Sequence, residues 1–303
     1  MIKQGNVVVI HVAKFLDGND RVCNHDCIFC IERMEPGISN GKLASVLEID
    51  KALSNYVNIK GNIEKIYIAG GEPTLRRDFE QVVKIVQNYC PSIILSTNCD
   101  FDNPQMIDII VDKLHLQAVA TSLHSHLPKR HDMITKCSGS FDRTLSTVRE
   151  LIDRGVDVTV NSVINSFNIT EMKEIVEFFH KADLKIKKLT LTHYMNHGNA
   201  FYHNELNFDV DMYDSYISKA IDSIKNVDYC VTFRDFPICL DLRLDDYQEY
   251  VEHIDVLNLA SDFFGIASEK APSFTKDKCN NCFWFRKCPH YLLSNYGKER
   301  YDD

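Results

Sequence analysis

Three cysteines within one short stretch, Cys23, Cys27 and Cys30, are the residues of this chain best suited to binding a metal group. Their C-x3-C-x2-C spacing supplies three thiolates in one loop, and Phe29 stands directly before the last of them. Thiolates are soft ligands that suit iron–sulfur clusters, and a cubane held by three cysteines keeps one iron open for a ligand from outside the protein. The alternatives are a zinc knuckle, a ferredoxin-like site or unrelated thiols. Zinc sites usually come as paired C-x2-C motifs or with spaced histidines, and ferredoxins use other spacings.

A Gly-Gly-Glu-Pro segment at residues 70–73 is the second group with chemical potential, because it directly follows a β-rich run at residues 65–69. Glycines at the end of a strand let the backbone approach a ligand closely. A carboxylate there, that of Glu72, can accept hydrogen bonds from an ammonium group. The alternative is a simple turn between strand and helix, in which the glycines and the proline only shape the chain.

Together, the two motifs resemble the signature of the radical SAM superfamily, in which the open iron of a [4Fe-4S] cluster chelates the methionine end of S-adenosylmethionine (SAM). The resemblance implies that Cys23, Cys27 and Cys30 hold this cluster. It also implies that Gly70, Gly71 and Glu72 bind the amino group of SAM.

Further strand ends fit the same resemblance with lower specificity. The resemblance implies that the remaining SAM contacts come from Phe29, Asn98, Ser122, Asn161 and Met195. Helix caps for the polar residues and a core methionine are the alternatives. Cys99 stands where relatives carry glycine, so the turn after Asn98 is expected to differ, and the family's glycine-rich adenine motif is absent.

A second set of cysteines lies near the end of the chain, where Cys279, Cys282 and Cys288 follow a C-x2-C-x5-C pattern. Cys239 could supply a fourth thiolate, and a fully ligated cubane would transfer electrons or stabilise structure. The pattern resembles half of a SPASM domain, the auxiliary-cluster module of many radical SAM enzymes. Position 292 is leucine rather than the next SPASM cysteine, which favours a single auxiliary [4Fe-4S] cluster in the shorter twitch arrangement. A four-cysteine zinc site is the alternative.

The composition describes an ordinary soluble protein of 303 residues, with 45% hydrophobic and 25% charged residues. A formal net charge of −9 argues against a bulk binder of nucleic acid or anionic membranes. No apolar stretch approaches the roughly 20 residues that span a bilayer, and no signal peptide is evident. Eleven cysteines without an export signal indicate a metal framework rather than disulfides, and a cytoplasmic location.

The elements that must position these residues alternate between β-rich runs and helical patterns. Six strands are predicted, at residues 7–13, 65–69, 92–96, 117–123, 156–164 and 188–192. Helices are predicted at residues 43–57, 79–89, 104–113, 141–154 and 170–182, with Ser140 as an N-cap and Gly155 after a helix end. This alternation indicates a parallel sheet covered by helices. With the resemblance, it predicts an α/β fold: a partial (β/α)6 TIM-type barrel over residues 1–210 and a small twitch-like auxiliary-cluster domain over residues 211–303.

The activity implied by the resemblance is reductive cleavage of SAM to a 5′-deoxyadenosyl radical, which abstracts a hydrogen atom from a peptide or small-molecule substrate. The auxiliary cluster would assist oxidation or bond formation, and flavodoxin or ferredoxin would supply electrons. An epimerase or dehydrogenase of a sugar or antibiotic intermediate is the alternative enzyme. An iron–sulfur electron carrier or zinc-binding scaffold is the alternative of another class.

Two further expectations concern the substrate. Thr159 stands where the molybdenum-cofactor cyclases carry a triphosphate-binding lysine, which argues against that activity. Only 22 residues precede Cys23, so peptide modification is expected to need direct binding or a separate recognition partner. Four histidines lie on either side of the end of the fourth predicted strand: His115, His124, His126 and His131. One of them could act as an acid or base that faces the substrate, and a solvated or core histidine is the alternative for each.

Overall fold

The computed structural model describes residues 6–33, 40–207, 214–249, 254–258 and 266–267. The strands are β1 (Asn6–His11), β2 (Ala13–Arg21), β3 (Asn40–Leu43), β4 (Ile63–Ala69), β5 (Ile93–Ser96), β6 (Ala118–Ser122), β7 (Asp157–Ile164), β8 (Lys188–His193), β9 (Cys230–Arg234), β10 (Ile254–Asn258) and β11 (Ile266–Ala267). The helices are α1 (Val46–Lys60), α2 (Phe79–Gln87), α3 (Met106–Asp108), α4 (Pro128–Thr135), α5 (Ser140–Asp153), α6 (Met172–Lys181), α7 (Asp214–Ser223) and α8 (Leu244–Tyr247).

Eight parallel strands form one curved sheet, in the order β10-β1-β4-β5-β6-β7-β8-β9, and β11 adds an antiparallel edge next to β10. The fold is therefore the α/β partial barrel that the alternation of elements predicts. All six predicted strands are present. Strands β9 and β10 were not predicted, and they extend the sheet at its two opposite ends.

The main hydrophobic core lies between the sheet and its covering helices. In β4, the alternate residues Ile66 and Ile68 are fully buried in this core, whereas Tyr67 between them is half-buried. Because successive strand residues point to opposite faces, Tyr67 faces the concave side of the sheet, which we call the lumen. In this way the alternation separates a packed outer layer from a lumen that carries polar residues.

Local sequence explains how the outer helices begin. Ser45 caps α1 by accepting a hydrogen bond from the Glu48 backbone N–H, and the Glu48 side chain returns a bond to Ser45. This reciprocal capping box satisfies two otherwise unpaired donors. Gly155 follows α5 with a φ of +82°, as predicted for a residue just past a helix end.

Several elements differ from the sequence-based expectations. The predicted strand at 7–13 ends at His11, and β2 pairs with β3 in a separate small sheet. The helix predicted at 104–113 begins as α3 and continues as a π-helix over Ile109–Lys113. Ser140 lies inside α5 rather than capping it, because its hydroxyl bonds to Asp132 instead.

Beyond residue 210, the described strand β9 pairs in parallel with β8, and β10 pairs in parallel with β1. These residues therefore join the barrel sheet. The domain division at residue 210 stays a prediction. Within the described ranges, no helix has the length and apolar character needed to cross a membrane.

Candidate active site

A cavity of about 170 Å³ opens at the carboxyl ends of the strands. Such strand ends are where α/β barrels assemble their chemistry. The cavity wall includes these sequence-predicted site residues: Cys23, Cys27, Phe29, Cys30, Gly70, Gly71, Asn98 and Ser122. Residues from four separate stretches of the chain therefore meet at one place.

The loop that carries the three cysteines follows β2 and is held by backbone hydrogen bonds to α4. The Asp26 N–H donates to the Thr135 carbonyl at 3.0 Å, and the Ile28 N–H donates to the Ile134 carbonyl at 3.1 Å. A turn closes the loop, in which the Cys30 N–H donates to the Cys27 carbonyl at 3.1 Å. Helix α4 thus holds the backbone of the cysteine loop in place.

The segment after β8 holds the same loop from its other side. The Asn199 N–H donates to the Cys30 carbonyl, and the Asn199 side-chain Nδ2 donates to the Cys27 carbonyl, each at 2.9 Å. Gly198 adopts a φ of +61°, and a Cβ built there would lie 2.5 Å from the Cys30 carbonyl oxygen. Only glycine fits so close a contact between the two segments.

The three cysteines carry free thiols. Burial is the main reason that the pKa of Cys23 rises to about 12 and that of Cys30 to about 11. Burial likewise raises the pKa of Cys27, and the neighbouring thiols Cys30 and Cys23 raise it further. The thiols are therefore protonated at neutral pH in the metal-free chain, and a bound metal group would displace these protons.

A buried cation lies beneath the cysteine loop. Arg33 is 1% exposed, donates a hydrogen bond to the His25 carbonyl at 2.9 Å, and lies 4.4 Å from the ring centre of Phe15. Its charge opposes the rise in pKa of the three thiols. Arg33 also forms an ion pair with Asp26 at 3.1 Å, so only part of its charge reduces the mutual repulsion of a set of thiolates.

A second polar network ties the loop to the end of β5. His25 Nε2 lies 2.9 Å from Asp100 Oδ2, and Arg143 donates to both oxygens of the same carboxylate. Burial of Asp100 favours the neutral acid, but the hydrogen bonds from His25 and Arg143 outweigh it and hold the pKa of the carboxyl well below its usual range. Cys137 completes this cluster of potential metal ligands, but the Arg143 guanidinium already donates hydrogen bonds to both Asp100 and Cys137.

The Gly-Gly turn lies against the loop backbone. Gly70 and Gly71 have φ values of +92° and +57°, and a Cβ on Gly71 would lie 2.1 Å from the Val22 carbonyl oxygen. Both positions therefore require glycine. The turn forms part of the cavity wall without projecting a side chain into it.

Glu72 lies behind the wall rather than on it. The side chain is 1% exposed; Oε1 accepts hydrogen bonds from Thr74 and from Thr97 Oγ1, and Oε2 accepts from the Asn98 N–H at 2.7 Å. Burial raises the pKa of this carboxyl, while these hydrogen bonds oppose the rise. Glu72 thus joins the ends of β4 and β5, and its predicted bond to the SAM ammonium stays a prediction.

The remaining predicted SAM contacts are distributed differently. Asn98 and Ser122 line the cavity, but Asn161 and Met195 do not. Asn161 pairs with Ser122 in the sheet register and accepts a hydrogen bond from Thr192 Oγ1 at 2.5 Å. After Asn98, Cys99 adopts a φ of +57°, so the turn has the left-handed conformation that glycine favours.

His124 is a cavity residue whose role the sequence left open. Its Nδ1 accepts a hydrogen bond from the Val163 N–H, which leaves the proton of the neutral ring on Nε2. Burial, followed by the neighbouring His131, lowers the pKa of His124 well below its usual value. His124 is therefore a neutral hydrogen-bond donor rather than a base. Its position two residues after Ser122, at the end of a predicted strand, was the sequence signal.

The other predicted histidines do not share this setting. His131 is buried and stacks on His124 at 5.6 Å, His126 is half-buried beside Glu171, and His115 is exposed. Asn199, Arg33 and Gly198 also contact the cysteine loop, and no local sequence pattern indicated them.

The predicted auxiliary site lies almost entirely outside the described residues. Cys279, Cys282 and Cys288 lie outside the described residues, and for Cys239 only the backbone, within the turn Ile238–Leu240, is described. The second cluster stays a prediction.

Comparisons with known proteins agree with this geometry. A family model described as "Radical SAM superfamily" matches residues 21–179. A Methanocaldococcus jannaschii protein named as a glycyl-radical enzyme activating enzyme is 25% identical over 186 residues, 59% of this chain and 68% of that protein. A GTP 3′,8-cyclase of Aquifex aeolicus is 28% identical over 171 residues, 54% of this chain and 52% of the cyclase. The chain thus matches only about half the length of that cyclase.

Solved structures are similar in fold. Streptococcus suis SuiB bound to S-adenosylmethionine has a TM-score of 0.63 at 13% identity, over 93% of this chain and 71% of SuiB. Native anSMEcpe with bound AdoMet has a TM-score of 0.65 at 15% identity, over 93% of this chain and 88% of anSMEcpe. At these identities the likeness is one of fold alone.

Proposed function

The chain belongs to the radical SAM superfamily, and from this premise we propose that it cleaves SAM reductively on a [4Fe-4S] cluster held by Cys23, Cys27 and Cys30. The observation that carries the proposal is the convergence of these three free thiols on one cavity beside the Gly70–Gly71 turn. The donor set fits the cluster: three soft ligands, a compensating buried cation at Arg33 and backbone N–H groups directed at sulfur.

When bound, the cluster supplies the electron that breaks a carbon–sulfur bond of SAM and yields a 5′-deoxyadenosyl radical. The residues of the chain bind and orient. Gly70 and Gly71 let SAM approach the backbone, and Ser122 and the Nε2–H of His124 offer hydrogen bonds to its polar groups. Phe29 packs edge-on against His124 with the ring centres 4.6 Å apart, which limits the movement of this donor.

The substrate proposed is a peptide or a small molecule that loses a hydrogen atom to the radical. Support for a peptide comes from a solved structure of similar fold, that of Streptococcus suis SuiB bound to its precursor peptide SuiA. We further propose an auxiliary [4Fe-4S] cluster on Cys239, Cys279, Cys282 and Cys288 that accepts the substrate electron. A flavodoxin or ferredoxin would reduce the enzyme, in the cytoplasm.

GTP cyclisation is the second candidate, because several relatives are named GTP 3′,8-cyclases. Thr159 argues against it, since a neutral threonine at that lumen position cannot bind a triphosphate as a lysine does. An epimerase or dehydrogenase of a sugar or antibiotic intermediate is a further alternative, and it would use the same SAM cavity. An electron carrier or zinc scaffold would have no need for the Gly70–Gly71 turn.

The test is electron paramagnetic resonance of the anaerobically reconstituted, dithionite-reduced protein with and without SAM. If the open iron chelates SAM, the addition of SAM should change the spectrum. The Ser122→Ala variant should need a higher SAM concentration for the same spectral change. A spectrum that SAM leaves unchanged would refute SAM binding at this cluster.

A further inference from the structure

A continuous row of side chains leads from the cavity into the lumen. Ser122, which lines the cavity, pairs with Asn161, Asn161 with Thr190, and Thr190 with Thr232. Paired residues on neighbouring parallel strands share a face of the sheet. The row therefore connects the cavity with the far side of the lumen, on strands β6 to β9.

A charged cluster lies at the far end of this row. Arg234 donates to Glu249 Oε2 at 2.9 Å, and Lys188 donates to Glu249 Oε1 at 3.0 Å. The hydroxyls of Thr190 and Thr232 are 3.0 Å apart and each lies 3.4 Å from Glu249 Oε2. Two cations thus share one carboxylate, which leaves a net positive charge in a chain whose formal net charge is −9.

The cation Arg234 has unused hydrogen-bonding capacity. Among the described residues its guanidinium donates only to Glu249, and its Nε is buried without a hydrogen-bond partner. A buried donor without a partner is costly, so such a group indicates a missing acceptor. Tyr67 on the opposite wall is also affected: burial chiefly raises the pKa of its phenol, with Glu249 adding to the rise and Arg234 opposing it.

Resting on the proposed function, we propose that Arg234 and Lys188 form an anion subsite that binds a carboxylate or phosphate group of the substrate. Ser122 and Thr232 are three strand spacings apart, about 14 Å at roughly 4.8 Å per strand. A substrate anchored at the subsite by its anionic group can therefore extend along the polar row and present a carbon to the SAM cavity. Arginine provides directional, bidentate recognition of either oxyanion, and lysine adds a point charge.

The test is anaerobic equilibrium dialysis of the reconstituted, SAM-loaded enzyme against radiolabelled inorganic phosphate and, separately, acetate. At least one anion should bind, and the tighter of the two identifies phosphate or carboxylate as the substrate group. Arg234→Gln should weaken binding about tenfold, the scale of one charge-assisted hydrogen bond. Arg234→Lys, which keeps the charge, should weaken it less. Glu249→Gln should strengthen binding, because it removes the competing carboxylate.

Lys187→Gln is the matched control, because Lys187 neighbours Lys188 in sequence but is 61% exposed and pairs with Asp157. It should leave anion binding unchanged. If the ion-pair cluster were purely structural, Arg234→Gln and Glu249→Gln would change anion binding in the same direction and by the same amount. Equal effects of the two variants on anion binding would therefore overturn the proposal. Binding of neither anion, or tighter binding of ethylammonium, would overturn it as well.

Wild-type formation of 5′-deoxyadenosine from SAM, without substrate, is measured in the same preparations. An enzyme that cleaves SAM but binds neither anion contradicts the subsite alone. An enzyme that cleaves no SAM contradicts the proposed function, whether or not it binds either anion.

Discussion

At the scale of single residues, burial decides the protonation state of the three cysteine thiols and of His124. It keeps the thiols of Cys23 and Cys30 protonated until a metal group replaces the protons, and it keeps the ring of His124 neutral. His124 can therefore donate a hydrogen bond but is a poor base. Cavity chemistry consequently depends on fixed donors and metal ligands rather than on proton transfer by this histidine.

Glu72→Gln tests the most connected carboxylate of the site. Glutamine presents only one acceptor oxygen to donors that now bond both oxygens of Glu72, so we expect a loss of about 1–3 kcal/mol in unfolding free energy. If the Glu72 carboxylate also accepts a hydrogen bond from the SAM ammonium, the free energy of SAM binding should weaken by roughly 1.5–3 kcal/mol, the scale of a charge-assisted hydrogen bond. Urea unfolding and SAM dialysis separate the two effects. Glu80→Gln, which removes an exposed ion pair with Lys113, is the control. Unchanged stability in the Glu72 variant would contradict this account.

The pH dependence of stability tests the buried histidines. Burial, with His25 as a further cause, lowers the pKa of His131 to about 4, below the ordinary value of about 6.5. The unfolded chain therefore binds a proton in this window and the folded chain does not. The contribution of His131 to the unfolding free energy should be fully present above pH 6.5 and should fall by roughly 3 kcal/mol as the pH drops to 4.

Urea unfolding of the metal-free protein at several pH values measures this slope. His131→Gln should make this slope shallower, because His124 alone of the two buried rings then contributes, whereas His180→Gln, at an exposed position, should not change it. Equal slopes in the two variants would mean that His131 is not the titrating group.

At the scale of elements, the segment after β8 is part of the cluster site because Gly198 and Asn199 contact the cysteine loop. Gly198→Ala should displace this segment and reduce the iron retained after reconstitution. Gly155→Ala is a matched control: its φ of +82° is also left-handed, but nothing lies within 4 Å of its Cβ. It should cost about 1–2 kcal/mol in stability and leave iron content unchanged. Equal iron loss in both variants would show that backbone strain, not the contact, is responsible.

The elements predicted from sequence are those whose burial follows one simple period. Strands such as β4 and β7 have strong β-rich runs, and their existence was confirmed. Helix α4 was missed because two of the three residues that it buries, His131 and Thr135, are polar. Strand β9 was missed although its burial alternates, because only Val231 and Phe233 of its five residues are buried, which is too short a run to stand out in the sequence.

The same limit applies to the site. The cysteine loop and the Gly-Gly turn are local motifs, so their residue types and spacing were readable from the sequence. The bond from Asn199 to the Cys27 carbonyl joins residues 172 positions apart, and a contact of that range has no local pattern. The burial of Glu72 behind the wall likewise depends on how β4 and β5 meet.

At the scale of the whole molecule, the number of clusters follows from the cysteines at both ends of the chain. With two cubanes, anaerobically reconstituted protein should carry about eight irons and eight sulfides per chain. Replacing Cys23, Cys27 and Cys30 by alanine together should remove about half, and so should replacing Cys279, Cys282 and Cys288. One zinc with four irons in the wild-type protein would contradict the auxiliary cluster.

The central claim is that the cluster on Cys23, Cys27 and Cys30 cleaves SAM, and chromatographic measurement of 5′-deoxyadenosine after dithionite reduction tests it most directly. The wild-type enzyme should form 5′-deoxyadenosine, and the variant lacking all three of these cysteines should form none. Cys279→Ala should still form it, because SAM is proposed to bind the cluster on Cys23, Cys27 and Cys30 and not the proposed auxiliary site. Formation of 5′-deoxyadenosine by the triple variant, or its absence in a wild-type protein that carries its iron, would contradict the account.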